Sequence, residues 1–340
     1  MTTQAGRLGG GALRSLASLL DDTDSALRRG GSAGVSVWSS GFPVLDDTLT
    51  GGFRAGELVL LGGSQGNGKT TIGLQFVRNA VASGRTALFF SYEHEAHTLF
   101  ERLVSMEASE RIPGEVATVH EVRRALESES GGLTLEDVLT PLPGALPALF
   151  ALADFGDRLH IHESNASTTL AEIRRIVDEV AQQTGDAPLV LVDYLQKVPV
   201  RDAHDARDGD AMTVAAEGLK ELALQAGVPV VAVAAADKAS LGAGRRMRIH
   251  DLRGSSALAY ESDIVLILSE KVDIVARDHL IYDLGNAQRF SDWCVVTVEK
   301  NRHGRAGVEL EFHKDFTHGR FHTDGQQVKE RLIDERVFVN

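Results

Sequence analysis

The chain has 340 residues, 43% hydrophobic and 24% charged, which suits one large core with modest appendages and excludes broad disorder. Its formal net charge of −13 argues against an exterior coated in basic residues for nucleic acid, while leaving room for a confined basic channel. A single cysteine, Cys294, cannot staple a secreted fold, so a cytoplasmic setting is expected.

No window has the apolar length of a membrane helix, and the first residues, MTTQAGRLGGGALRSL, lack a signal-peptide core, so no membrane partner is expected. Residues 1–11 are small, polar and Gly-rich and suggest a flexible N-terminus. Over residues 12–29, Leu13, Leu16, Leu20 and Leu27 share one helical face, and a linker over 30–39 separates that helix from the rest. Such a helix packs either on its own domain or on a neighbouring subunit.

From Ser40 the pattern is strand, turn, helix, repeated to about residue 325, with a tail over 326–340. Strands are expected at Leu58–Leu61, Thr86–Phe90, Leu189–Val192, Val228–Val233 and Ile264–Leu268, with helices over 69–83, 168–183 and 210–226. Continuous apolar strands alternating with amphipathic helices predict an α/β fold: a mostly parallel central sheet flanked by helices. Residues 105–157 are less regular and hold Pro141, Pro143 and Pro147; short helices over one edge are expected there. Residues 290–323 predict an antiparallel extension: Trp293–Val298, Val308–Phe312 and Gly319–Phe321.

Between the first strand and its helix, Gly63-Ser64-Gln65-Gly66-Asn67-Gly68-Lys69-Thr70 fits the pattern G-x-x-x-x-G-K-[ST]. A strand before it and a helix after it are the context of a P-loop, whose glycines let backbone N–H groups surround the β-phosphate of ATP. Lys69 would bridge the β- and γ-phosphates, and the Thr70 hydroxyl would bind Mg²⁺ with Thr71 assisting. The run Leu189-Val190-Leu191-Val192-Asp193 ends in a carboxylate, and Asp193 would hold Mg²⁺ through water. Hydrolysis needs a group to orient water; Glu93, just beyond the second strand, is favoured over its neighbours His94 and Glu95.

Two further stretches carry clustered cations. Lys300 and Arg302 lie between two C-terminal strands; such a hairpin tip is a soluble turn or a pair of cations aimed at a neighbour's active site. Arg245, Arg246 and Arg248, with Arg253 beyond them, form the densest basic stretch, in a loop rich in Gly and Ser. They are either solvated surface charge or the lining of a channel that tracks a phosphate backbone.

At this point the chain resembles the C-terminal ATPase domain of DnaB-type replicative helicases, in the RecA-like group that includes KaiC and RadA. The resemblance runs from Ser40-Gly41-Phe42 through the P-loop, Ser91-Tyr92-Glu93, Val192-Asp193-Tyr194-Leu195-Gln196 and Arg253-Gly254-Ser255-Ser256 to Lys300-Asn301-Arg302-His303-Gly304. It implies a RecA-like P-loop NTPase forming a hexameric ring, with ATP between subunits. Glu93 is then the catalytic base, Arg302 and Lys300 act in trans, Arg253, Gly254, Ser255 and Ser256 track single-stranded DNA, and the 12–29 helix docks on the adjacent protomer.

Three departures stand out. Only some 30–40 residues precede the core, so the family's N-terminal collar domain is expected to be missing. The family's Ser-Gln pair, whose Gln senses the γ-phosphate, is Ala234-Ala235 here, and the Glu usual after the loop Arg is Gly254. The leading expectation is an ATP-driven DNA helicase or translocase; the alternative is a KaiC-like ATPase that switches an assembly without unwinding.

Overall fold

The computed structural model describes residues 13–30, 34–129, 131–200, 208–236, 246–252, 254–276, 278–281 and 284–334. The chain begins with helix α1 (Leu16–Arg28), strand β1 (Val37–Trp38), α2 (Pro43–Thr48), β2 (Phe53–Arg54) and β3 (Leu58–Gly63). Next come α3 (Lys69–Ala82), β4 (Ala87–Ser91), four helices, α4 (Ala96–Arg111), α5 (Val119–Glu127), α6 (Leu135–Leu139) and α7 (Ala145–Phe155), and then β5 (Leu159–Glu163). The second half runs α8 (Leu170–Thr184), β6 (Leu189–Asp193), α9 (Asp208–Ala226), β7 (Val230–Ala235), α10 (Ser255–Glu261) and β8 (Ile264–Glu270). It closes with α11 (Lys271–Ile274), α12 (Asp278–Ile281), α13 (Leu284–Ser291), β9 (Trp293–Asn301), β10 (Val308–Asp315), β11 (Arg320–Phe321) and β12 (Gln326–Gln327).

The main sheet has the order β11-β10-β9-β8-β3-β7-β6-β4-β5, with β12 added beside β10. β8, β3, β7, β6, β4 and β5 are parallel; β9, β10, β11 and β12 pair antiparallel. The fold is thus the expected RecA-like α/β sheet with an antiparallel extension.

Every residue of β3, β4 and β6 is buried, because helices cover both faces. Alternate side chains divide between two cores, as the pleat requires. Val59, Leu61, Phe89 and Leu191 pack with Ile72, Phe76 and Ala80 of α3 and Leu99 and Leu103 of α4. Leu58, Leu60, Phe90 and Val190 pack with Ile173 and Val177 of α8 and Leu219 and Leu222 of α9. Gly73 lets α3 approach the sheet: a Cβ there would lie 2.8 Å from Leu191 Cδ1.

Several boundaries differ from the sequence expectation. The first helix starts at Leu16, because the Ser15 hydroxyl caps it by accepting from Ser18 N–H, and no residue of α1 is buried. The edge strand β5 adds beside β4 where no strand was expected. The segment expected as a tail is partly built in: β12 pairs with β10, and Leu332 bridges Val275. Residues 1–11 and 335–340 lie outside the described residues.

Candidate active site

The parallel strands all end on one side, and there the site forms. Gly63 closes β3, level with Ala235 of β7 and Leu268 of β8. The loop then turns through Gly66 and Gly68, both left-handed (φ +87° and +83°), where a side chain would be strained. Gly68 opens α3 without any side-chain cap, so the first-turn N–H groups face the loop without a capping side chain. A Cβ at Gly68 would also lie 2.7 Å from Phe316 and Phe321, which stack edge to face beneath the loop. Asn67 anchors the loop sideways, its amide donating to Leu268 O at 3.1 Å.

Lys69 Nζ donates to Gly63 O at 2.9 Å and Ser64 O at 2.8 Å, inside the ring of the loop. Burial lowers its pKa, opposed by the charges of Asp193 and Glu93. Thr70 Oγ1 donates to Asp193 Oδ2 at 2.7 Å. The Asp193 carboxyl is 1% exposed, and burial pushes its pKa up to about 6, with the Thr70 hydrogen bond pulling the other way. A buried carboxylate beside a hydroxyl, both oxygen donors, fits Mg²⁺, which takes its remaining ligands from water and phosphate.

β4 pairs with β6 so that Ser91 is level with Asp193, and Tyr92 N–H donates to Asp193 O at 2.8 Å. This register carries Glu93 into the cleft beside Asp193 and Lys69. Ser91 Oγ fixes the turn, accepting from His94 N–H at 3.0 Å and donating to His94 O at 2.5 Å. His94 also lines the cleft, its pKa lowered by burial and then by the Arg102 charge. Glu95 instead occupies the N-cap position of α4, without a side-chain hydrogen bond to the helix, and does not line the cleft.

Several cleft residues gave no sequence signal. Arg102 of α4 and Arg123 of α5 bring two guanidinium groups to the cleft. Arg123 is held by Glu101 at 2.8 Å; Arg102 is partly buried, its pKa lowered by desolvation and then by Arg123. Phe316 lines the cleft beside Gly68, and Gln196, from the Val192–Gln196 run seen in the sequence, lines it beside Ala235. The Gln196 carboxamide accepts from Ala235 N–H at 3.0 Å and donates to Ala235 O at 3.4 Å.

The basic stretch is corrected at two residues. Arg246 is 4% exposed, donates to Thr297 Oγ1 at 2.8 Å and pairs with Glu309; Arg248 pairs with Glu299 at 2.6 Å and with Asp334. Their charges are paired within the chain with β9, β10 and the C-terminal segment instead of standing free on the surface. Arg245 and Arg253 lie outside the described residues. Gly254 caps α10 at φ +81° and lines the cleft, with Ser255 and Ser256 opening α10 behind it. A Cβ on Gly254 would lie 2.6 Å from Met212 of α9, so the family's Glu would not fit without moving the two helices apart.

Lys300 and Arg302 stand elsewhere. Asn301 is level with Ile264 and Val59, at the start of β3, whereas Lys69 follows the end of β3. The two ends are separated by roughly 13 Å of strand.

This sheet and loop define a RecA-like P-loop nucleotide-binding domain. Residues 37–322 match the family described as the DnaB-like helicase C-terminal domain, and the chain belongs to that family. The replicative DNA helicase DnaB of Mycoplasma pneumoniae is 26% identical over 295 residues, covering 84% of this chain and 57% of the relative. That of Rhodothermus marinus is 30% identical over 309 residues, covering 87% and 29%. The chain thus spans about half the length, or less, of these relatives. A solved ATPase domain is 19% identical with a TM-score of 0.69, covering 91% of this chain and 99% of the other. A DnaB-like replicative helicase, solved in work on its interactions with primase, gives 0.67 at 18% identity, covering 92% and 67%. At these identities the two structures speak for the fold alone.

Proposed function

We propose that the chain hydrolyses ATP in the cleft at Lys69, at an interface between subunits of a ring, and that hydrolysis moves the ring along single-stranded DNA. One observation carries the hydrolytic part: Thr70 and Asp193 meet at 2.7 Å at the mouth of the P-loop, with Glu93 brought beside them by the β4–β6 register. In this reading Lys69 and the first turn of α3 bind the phosphates, Thr70 and Asp193 hold Mg²⁺, and Glu93 orients the attacking water. Mg²⁺ supplies neutralisation of phosphate charge, and Arg102 adds a cation from the same chain. Phe316 offers the nucleotide base an apolar face.

The placement of Lys300 and Arg302 supports the ring. At the far end of β3 they cannot reach their own phosphates, so a catalytic role for them requires a second copy. α1 supports it too, with Leu16, Leu20 and Leu27 exposed as a face suited to an adjacent subunit. Gly254, Ser255 and Ser256, with Arg253 and Arg245, supply the DNA-facing segment in this reading. A cytoplasmic location follows from the same reading.

A second reading, an ATPase that switches an assembly without unwinding, is favoured by Ala235, whose methyl cannot hydrogen-bond a γ-phosphate, and by the internal pairing of Arg246 and Arg248. ATPase rate with and without single-stranded DNA separates the two. The translocase reading expects stimulation by DNA that disappears in Glu93→Gln; a DNA-indifferent rate favours the switch.

A further inference from the structure

Lys300 and Arg302 are already engaged within their own chain. Lys300 Nζ donates to Ala259 O at 2.7 Å and Tyr260 O at 3.4 Å, and also to Ser262 O. Arg302 Nη2 donates to Tyr260 O at 3.2 Å, and Nη1 lies 3.3 Å from Asp263 Oδ1. These carbonyls belong to the last turn of α10 and its C-cap, Ser262. They are the acceptors a helix end leaves without intrahelical partners, at its negative pole.

Asp263 is 3% exposed and also accepts from Leu58 N–H at 2.8 Å and from Lys220 Nζ at 2.7 Å. Arg302 therefore shares a carboxylate that would remain paired without it. At the other end of α10, Gly254 lines the chain's own nucleotide cleft. α10 has seven residues, about 10 Å of helix. Its two ends thus touch the chain's own site and the cations offered to a neighbour.

An ammonium has three donors, and three carbonyls surround Lys300. Resting on the trans assignment of Lys300 and Arg302 made above, we propose that α10 is a relay between adjacent sites. The two cations bind either the carbonyl end of their own α10 or the phosphates of a neighbour's nucleotide. Their transfer to the neighbour frees the end of α10, and with it the Gly254 edge of the chain's own cleft.

Hydrogen exchange on peptides covering residues 255–262 of the full chain tests the relay. In the nucleotide-free protein, Lys300→Gln should speed exchange at Ala259–Ser262 by about tenfold, while Lys300→Arg retains most of the protection. In wild type, Mg²⁺ with a non-hydrolysable ATP analogue should give the same acceleration once mass photometry shows assembly, with no further gain in Lys300→Gln. Unchanged exchange in nucleotide-free Lys300→Gln would overturn the cis cage. Unchanged exchange in the assembled wild type would overturn its release. Failure to assemble at all would overturn the ring reading, and the relay with it, while the nucleotide-free comparison would still report on the cage by itself.

Discussion

Asp193 is the residue at which pH and catalysis meet. Its folded-state pKa of about 6 lies above the ordinary carboxylate value of 3.8, because burial disfavours the charged form. Protonation therefore favours folding of the metal-free chain: the contribution is complete below about pH 4 and is lost as pH rises through about 6. Asp193→Asn should raise the melting temperature of the nucleotide-free chain at about pH 8 and leave it unchanged near pH 4, as thermal denaturation would show. Mg²⁺·ATP needs the ionised form, so calorimetric affinity should fall about tenfold per unit below pH 6. Glu93→Gln should keep that affinity and lose at least about a hundredfold in turnover. Lys69, Thr70, Asp193 and Glu93 were legible because each follows a recognisable strand. Arg102 and Phe316 were not, because they come from helical residues that only the fold brings to the cleft. Arg246 and Arg248 misled because their acidic partners, Glu309, Glu299 and Asp334, are distant in sequence.

Among the elements, the buried strands announced themselves through unbroken apolar runs, whereas β5 did not. In Leu159-His160-Ile161-His162-Glu163 polar residues alternate with apolar ones, as an edge strand permits. α4 was disguised for a different reason: its inward face includes Glu101 and Glu107, so the apolar stripe is broken. Glu107 is fully buried, with Arg78 of α3 at 2.5 Å and Arg111 on its other oxygen. Glu107→Ala leaves Arg78, 9% exposed, without its carboxylate partner and with the Asn79 carboxamide as its remaining side-chain acceptor, and should cost about 3–5 kcal/mol in a denaturant titration. A loss below about 1 kcal/mol would mean that Arg78 finds water or another acceptor. Gly73→Val, by contrast, should destabilise through overpacking on Leu191, by about 1–3 kcal/mol.

For the whole molecule, the net charge is −13, and Arg246 and Arg248 are paired within the chain. Arg302 keeps a side chain 48% exposed while it contacts Asp263. The leucine face of α1 is exposed, and Leu16→Asp with Leu20→Asp should lower assembly measured by mass photometry while leaving the melting temperature of the single chain unchanged. The ring reading requires each site to be shared between two copies. Its most direct test is ATP hydrolysis by mixed variants. Lys69→Ala lacks the phosphate loop's cation and Arg302→Ala lacks the group offered to the neighbour, so each alone should be inactive. Co-assembled in equal amounts, they should recover roughly a quarter of the wild-type rate, because one interface in four pairs an intact loop with an intact Arg302. No recovery in rings verified to contain both variants, or full activity of Arg302→Ala alone, would contradict the shared site.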